Sequence, residues 1–154
     1  MKKNEKKYNW DGLFRVKGYR WTMSRQSKIE AINKEQGHLS AEEIYYKVRK
    51  KYPSIGLATV YRTLEILAQM GIITKLDFGD NRFRYELAEK FSDKGHHHHL
   101  VCKKCNKIIE YDDFVDDEIV LIQKVENALS KKYGFKIDDH NIQFYGLCQK
   151  CKKI

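Results

Sequence analysis

A single proline, Pro53, punctuates the chain, and no stretch approaches the roughly 20 uninterrupted apolar residues of a membrane span. The opening segment, MKKNEKKYNWDG, lacks the apolar core of an export signal. These two absences predict a folded cytoplasmic chain with no membrane partner. Cysteine is sparse as well: four residues, all in two Cys-x-x-Cys pairs, Cys102/Cys105 and Cys148/Cys151. Without an export signal, such pairs read as a metal site before a disulfide framework. Two catalytic zinc patterns are missing, the H-E-x-x-H helix and H-x-E followed by P-C-x-x-C. A catalytic zinc also needs an open coordination position and a placed general acid or base. The expectation is a protein that is not an enzyme and has no small-molecule substrate.

What is present is charge, unevenly spread. The net charge of the 154 residues is +9. Residues 1–95 carry 20 Lys/Arg against 12 Asp/Glu, a net of +8, while residues 96–154 carry 10 against 9, a net of +1. All four cysteines and every histidine except His38 fall in the second, nearly neutral part. A basic module thus precedes a Cys/His module. A basic excess points to a polyanion partner, nucleic acid or an anionic surface, although solvated basic faces are common.

The basic module has helical periodicity in three places. QSKIEAINKE brings Ile29 and Ile32 together; AEEIYYKVRKKYP follows Ser40 as N-cap, with Glu43 at the third position, and runs to Pro53. LATVYRTLEILAQM gathers Leu57, Val60, Leu64 and Leu67 on one face and turns Ala58, Thr59, Arg62, Glu65 and Gln69 away, until Gly71 stops it. GIITKLDF and RFRYEL then read as two strands around the turn GDN. Helices followed by a basic hairpin predict a winged helix-turn-helix, whose last helix enters the major groove of double-stranded DNA. Thr59, Tyr61 and Arg62 lie in its first two turns, within reach of bases and phosphates. An ordinary helical domain with one amphipathic helix is the competing reading.

In the second module, two Cys-x-x-Cys knuckles suit a closed tetrahedral Zn(II) site of structural type. The 42 residues between the pairs enclose a helix, DDEIVLIQKVENALSKKYG, ended by Gly134. LVC and KIIEY flank the first knuckle as a hairpin, which makes HHHHLV a strand. Side chains alternate across a strand, so His97 and His99 face one side and His96 and His98 the other. Two ligand pairs on opposite faces serve two metal centres. Imidazole with carboxylate suits Fe(II), Mn(II) or Zn(II), whereas thiolates favour zinc.

The segments GLATVYRTLEIL (56–67), HHHHLVCKKCNKIIE (96–110) and DDHNIQFYGLCQKC (138–151), in this order, resemble the ferric uptake regulator family of bacterial transcription factors. The resemblance implies an α+β chain: a winged helix-turn-helix domain over residues 1–88, a hinge at 89–95, and a small C-terminal α/β dimerisation domain with a three-stranded sheet over 96–154. It implies homodimers that bind A/T-rich inverted repeats and repress metal-uptake genes. By this similarity Tyr61 and Arg62, with Thr59 beside them, contact DNA, and Arg20 and Arg25 contact its backbone. Cys102, Cys105, Cys148 and Cys151 match the structural zinc site. His38, Glu86, His97, His99 and Glu110 match the regulatory site, and His96, His98 and His140 match a second site. There the chain departs from the family: His98 stands where an aspartate is common, and the helix glutamate aligns with Gln123. Glu118 and Glu126, on neighbouring turns, are the candidate replacements.

The resemblance also orders the candidate signals. Zinc sensors of the family use a cysteine near the position of Glu86, which this chain lacks, and peroxide sensors carry aspartates where Glu86 and Glu110 stand. Fe(II) is therefore the expected regulatory metal, with Mn(II) or Zn(II) able to substitute. Peroxide sensing is the alternative, because four consecutive histidines occur in that branch too. A metal-buffering protein without DNA binding is a third.

Overall fold

The computed structural model describes residues 8–35 and 38–153. The chain divides into two compact units, Met1–Ser92 and Asp93–Ile154. The boundary falls inside the segment 89–95.

The first unit begins with α1 (Trp10–Val16), whose start is closed by the Asn9 side chain accepting from the Gly12 N–H. This helix was not expected from the sequence; seven residues are too few to display a clear 3.6-residue period. α2 (Met23–Lys34) starts three residues before the expected segment because Thr22 caps it, accepting from the Arg25 N–H. The turn expected at Gln36 and Gly37 lies outside the described residues. β1 (Leu39–Ser40) leads directly into α3 (Ala41–Arg49), where Ser40 and Glu43 form the expected capping box. α3 stops before Pro53 is reached, with the Lys51 and Tyr52 N–H groups both donating to the Val48 carbonyl in a closing turn. Proline disfavours helical geometry in the residue before it, so the helix cannot run up to the ring.

α4 (Leu57–Gln69) follows Gly56 and buries Val60, Thr63, Leu64 and Leu67. Leu57, expected on this stripe, is exposed, and Thr63 takes a buried place instead, its hydroxyl donating to the Thr59 carbonyl at 2.9 Å. Gly71, at φ 64°, turns the chain out of the helix. β2 (Ile73–Asp77) and β3 (Phe83–Leu87) form the expected hairpin, and β1 joins the free edge of β3 to give the order β1-β3-β2. Phe14, Ile29, Ile32, Ile44, Val48, Val60, Leu64, Leu67, Ile72 and Tyr85 build one continuous core beneath these helices. A short 3₁₀ turn at Glu89–Phe91 closes the unit, with Phe91 packed on Trp10 at 5.2 Å between ring centroids.

The second unit is a three-stranded sheet in the order β5-β4-β6, built from β4 (His98–Cys102), β5 (Ile108–Tyr111) and β6 (Gln143–Gly146). β4 pairs antiparallel with β5 and parallel with β6. The parallel pair needs a crossover, supplied by α5 (Val115–Tyr133), which Gly134 ends in a left-handed conformation. A last turn, α6 (Gln149–Lys152), carries Cys151. Among the described residues no helix is long and apolar enough to cross a membrane.

Candidate metal centres and nucleic-acid face

The two cysteine knuckles meet. Cys102 ends β4, Cys105 sits in the following turn, and Cys148 and Cys151 bracket the start of α6. Their four sulfurs lie within 4.8 Å of one another as free thiols, and Cys105 Sγ is 3.7 Å from Cys148 Sγ. A tetrahedron with metal–sulfur bonds of about 2.3 Å has edges of about 3.8 Å, so this spacing fits zinc. Backbone N–H groups of Cys148, Cys105 and Lys104 aim at Cys102 and pull its pKa down to about 6. The Cys148 thiol is also lowered, first by the Cys151 N–H. Burial and the neighbouring thiols push Cys151 up to about 12. A dication supplies the positive charge that four thiolates in one place require.

The histidine strand alternates as its spacing predicts. The rings of His96 and His98 are 4.7 Å apart on one side, and those of His97 and His99 are 5.1 Å apart on the other. His140, from the loop before β6, joins the first pair, and one ligand nitrogen from each of His96, His98 and His140 lies within 4.8 Å of the others. Glu118, in the first turn of α5, brings Oε2 to 2.9 Å from His98 Nε2. Both atoms are buried. A buried imidazole nitrogen and carboxylate oxygen at this distance form an ion pair when the ring is protonated, and are donor types that suit a cation when it is not. Burial lowers the His98 pKa, with Glu118 opposing that shift, so the ring is held neutral as a ligand must be. Glu126 lies 3.1 Å from His140 Nδ1 and orients that ring. Gln123 takes no part among these contacts.

Each unit also carries a separate group of candidate ligands. In the first unit, antiparallel pairing of Leu39 with Tyr85 places His38 beside Glu86. Their Nε2 and Oε2 atoms are 3.0 Å apart, with the His38 side chain 5% exposed and edge-on to Phe78. In the second unit, His99 is in register with Glu110 across β4 and β5. His97 Nδ1 lies 3.1 Å from the Gly95 carbonyl, which orients the ring. Lys94 pairs with Glu110 at 2.5 Å, an ion pair that the residue types alone did not suggest.

On α4, Thr59, Tyr61 and Arg62 are exposed, as are Ala58, Glu65 and Gln69, all on the side away from the core. Arg20 is exposed ahead of α2, but Arg25 is partly engaged. Its guanidinium lies over Phe14 and Tyr19, at 5.5 and 5.7 Å from their ring centres, and donates to the Arg20 carbonyl. At the hairpin turn, Arg84 grips Asp80 through two bonds of 2.9 and 2.6 Å, leaving Arg82 exposed at the tip.

Comparison with known proteins assigns the chain to a family. The model of the ferric uptake regulator family matches residues 16–145. The chain belongs to the ferric uptake regulator family. It is 40% identical over 134 residues to a ferric uptake regulation protein of Bacillus subtilis, covering 86% of this chain and 85% of that one. It is also 32% identical over 136 residues to the peroxide operon regulator of the same organism, covering 88% and 86%. Among solved structures, the ferric uptake regulator of Helicobacter pylori, described as having three functional metal-binding sites, superposes with a TM-score of 0.69 at 29% identity, over 90% of this chain and 86% of that one. The α+β fold with a three-stranded sheet in each unit is that of the family, and the chain is a metal-dependent transcriptional regulator of the ferric uptake regulator type.

Proposed function

We propose that this chain is an Fe(II)-responsive repressor that binds A/T-rich inverted repeats as a homodimer and controls iron-uptake genes. The observation that carries the reading is the pair of half-sites: His38 with Glu86 in one unit, and His97, His99 and Glu110 in the other. One Fe(II) held by all five would tie the winged-helix domain (1–88) to the dimerisation domain (96–154) across the hinge (89–95). Metal would then shift the population toward the geometry that spaces two recognition helices about one DNA turn, roughly 34 Å, apart. Both carboxylates are glutamates, and the relative at 40% identity is named for ferric uptake while the peroxide regulator stands at 32%. Peroxide sensing is the second reading, favoured by that same 32% relationship. The cysteine cluster would hold structural Zn(II), and His96, His98, His140 and Glu118 would hold a further metal.

Support for the homodimer comes from α5, which turns Leu121, Val125 and Leu129 to solvent at helical spacing, beside exposed Phe144 and Leu147. A face of this kind on a small unit calls for a partner, and a second copy supplies one. Support for DNA comes from the exposed Thr59, Tyr61 and Arg62 row in a unit of strong positive charge.

The test is fluorescence anisotropy of an A/T-rich inverted-repeat duplex with zinc-replete protein at fixed salt, titrating Mn(II) as an air-stable stand-in for Fe(II). Tightening of about tenfold or more, roughly 1.4 kcal/mol of coupling, is expected. The same gain in His97→Ala would refute the regulatory site, and loss of binding when the Fe(II) form meets peroxide would select the second reading.

A further inference from the structure

Tyr61 stands in the exposed row of α4, yet its hydroxyl is not directed at solvent. It donates to Glu42 Oε1 at 2.5 Å, reaching from α4 to the first turn of α3. Glu42 is anchored there from several sides: by the Tyr61 hydroxyl first, then by its own backbone N–H, the Ser40 hydroxyl and the positive charge of Arg82 at the hairpin tip, which together lower its pKa. The same bond pushes the Tyr61 phenol up to about 12. One carboxylate therefore connects the start of α3, the exposed side of α4 and the tip of the hairpin.

That carboxylate is out of place on electrostatic grounds. Residues 1–95 have a net charge of +8, and a negative group beside the DNA-facing row weakens phosphate binding. Nor does the bond do much for the fold, since both partners are exposed and such bonds contribute little net stability. Its consequence is chemical. A phenol has one proton to donate. Once Glu42 accepts it, what Tyr61 can offer a ligand is its oxygen lone pair and the apolar edge of its ring. The lone pair accepts from adenine N6 or cytosine N4, and the ring edge meets a thymine methyl. A phenol released from Glu42 donates instead to any phosphate oxygen, a contact that carries no sequence information.

We propose that Glu42 is a specificity-determining residue, which holds the Tyr61 proton so that this tyrosine reads base edges and not phosphates. The proposal rests on the assignment of α4 as the recognition helix. It is tested with full-length, zinc-replete, Mn(II)-loaded protein. One duplex is selected from a random pool by the wild-type protein; the other is a scrambled duplex of equal composition. Glu42→Ala is expected to lower the ratio of selected to scrambled affinity by about tenfold, chiefly by tightening the scrambled complex. Glu42→Gln keeps an acceptor without the charge, and its ratio should stay within about threefold of wild type. In a Tyr61→Phe background, Glu42→Ala should change the ratio no further. An unchanged ratio in Glu42→Ala overturns the proposal; so does equal behaviour of Gln and Ala, which would leave charge alone at work. Additivity with Tyr61→Phe overturns it too. Arg62→Ala separates the two levels: if it loses the selected duplex while Glu42→Ala is silent, the helix assignment stands and the proposal falls. If Arg62→Ala binds like wild type, both fall.

Discussion

The two units are built on different principles. The first buries ten or more large apolar side chains from four helices and a hairpin in one core. In the second, the buried residues are Val101, Val115, two cysteines and two histidines. Many other large apolar side chains there are exposed, among them Phe114, Leu121, Val125, Phe144 and Leu147, while Ile108, Ile119, Ile122 and Ile142 are half-buried. Burial at about 25 cal/mol per Å² can hold the first unit together, but the second has little to bury within one chain. Half or more of its buried positions are cysteines and histidines of the candidate metal centres, and much of its apolar surface lies outside. The first unit is a domain that folds on its own side chains, whereas the second reads as a domain finished by ions and by a partner.

The contrast is broken most directly at the cysteine cluster, where zinc is proposed. Cys102→Ser should unfold the second unit almost completely, because structural zinc binding is coupled to folding and contributes roughly 10 kcal/mol or more. Both tryptophans, Trp10 and Trp21, belong to the first unit, so their fluorescence should stay native while the circular dichroism of α5 is lost. Loss of both signals together would show that the units do not fold separately. Leu64→Ala attacks the other side. Leu64 is fully buried, and its truncation should cost the first unit about 2–5 kcal/mol in denaturant titrations followed by tryptophan emission. A cost below about 1 kcal/mol would mean that the core is not what holds this unit.

How much of this was legible in the sequence follows the same division. Amphipathic periodicity exposed α4 and the capping box exposed α3, because both signals are local. Strand alternation separated His97/His99 from His96/His98 before any coordinates. What was not legible depended on pairing over distance. β1 is two residues long and exists only through its register with β3. Glu118 was one of two candidates offered against an alignment on Gln123, and only the start of α5 against β4 distinguishes it. The bond of Glu42 to Tyr61, 19 residues away, has no sequence signature.

A smaller effect is expected on the exposed side of α5. Leu121→Glu places a charge in the middle of the apolar stripe and should weaken self-association by about tenfold or more, measured by analytical ultracentrifugation. The monomer's helix content should be unchanged, since Leu121 is 64% exposed. An unaltered dissociation constant would move the interface elsewhere and remove half of the contrast between the units.

The smallest predicted effect probes a charged side chain in the first unit's interior. Lys28 on α2 is fully buried, its ammonium donating to the Ser24 carbonyl and hydroxyl at 2.9 Å each. Burial, with Arg25 adding to it, lowers its pKa to about 8 from the ordinary 10.5. Between those two values the unfolded chain keeps a proton that the folded chain has released. Stability therefore rises with pH across this window, by at most about 1.4 kcal/mol per unit, and the penalty is fully present below about pH 8. Tyr85, whose buried phenol is raised above 10, works in the opposite sense, but only above pH 10. Denaturant titrations at pH 7.5, 8.5 and 9.5, read on the tryptophans, should give wild type a positive slope that Lys28→Met lacks. Met fits the same space without a charge, so it should be the more stable protein at pH 7.5, with the advantage shrinking toward pH 9.5. Parallel profiles for the two proteins would mean that the lysine is solvated in the folded state, and that the first unit's interior is not as closed as its packing indicates.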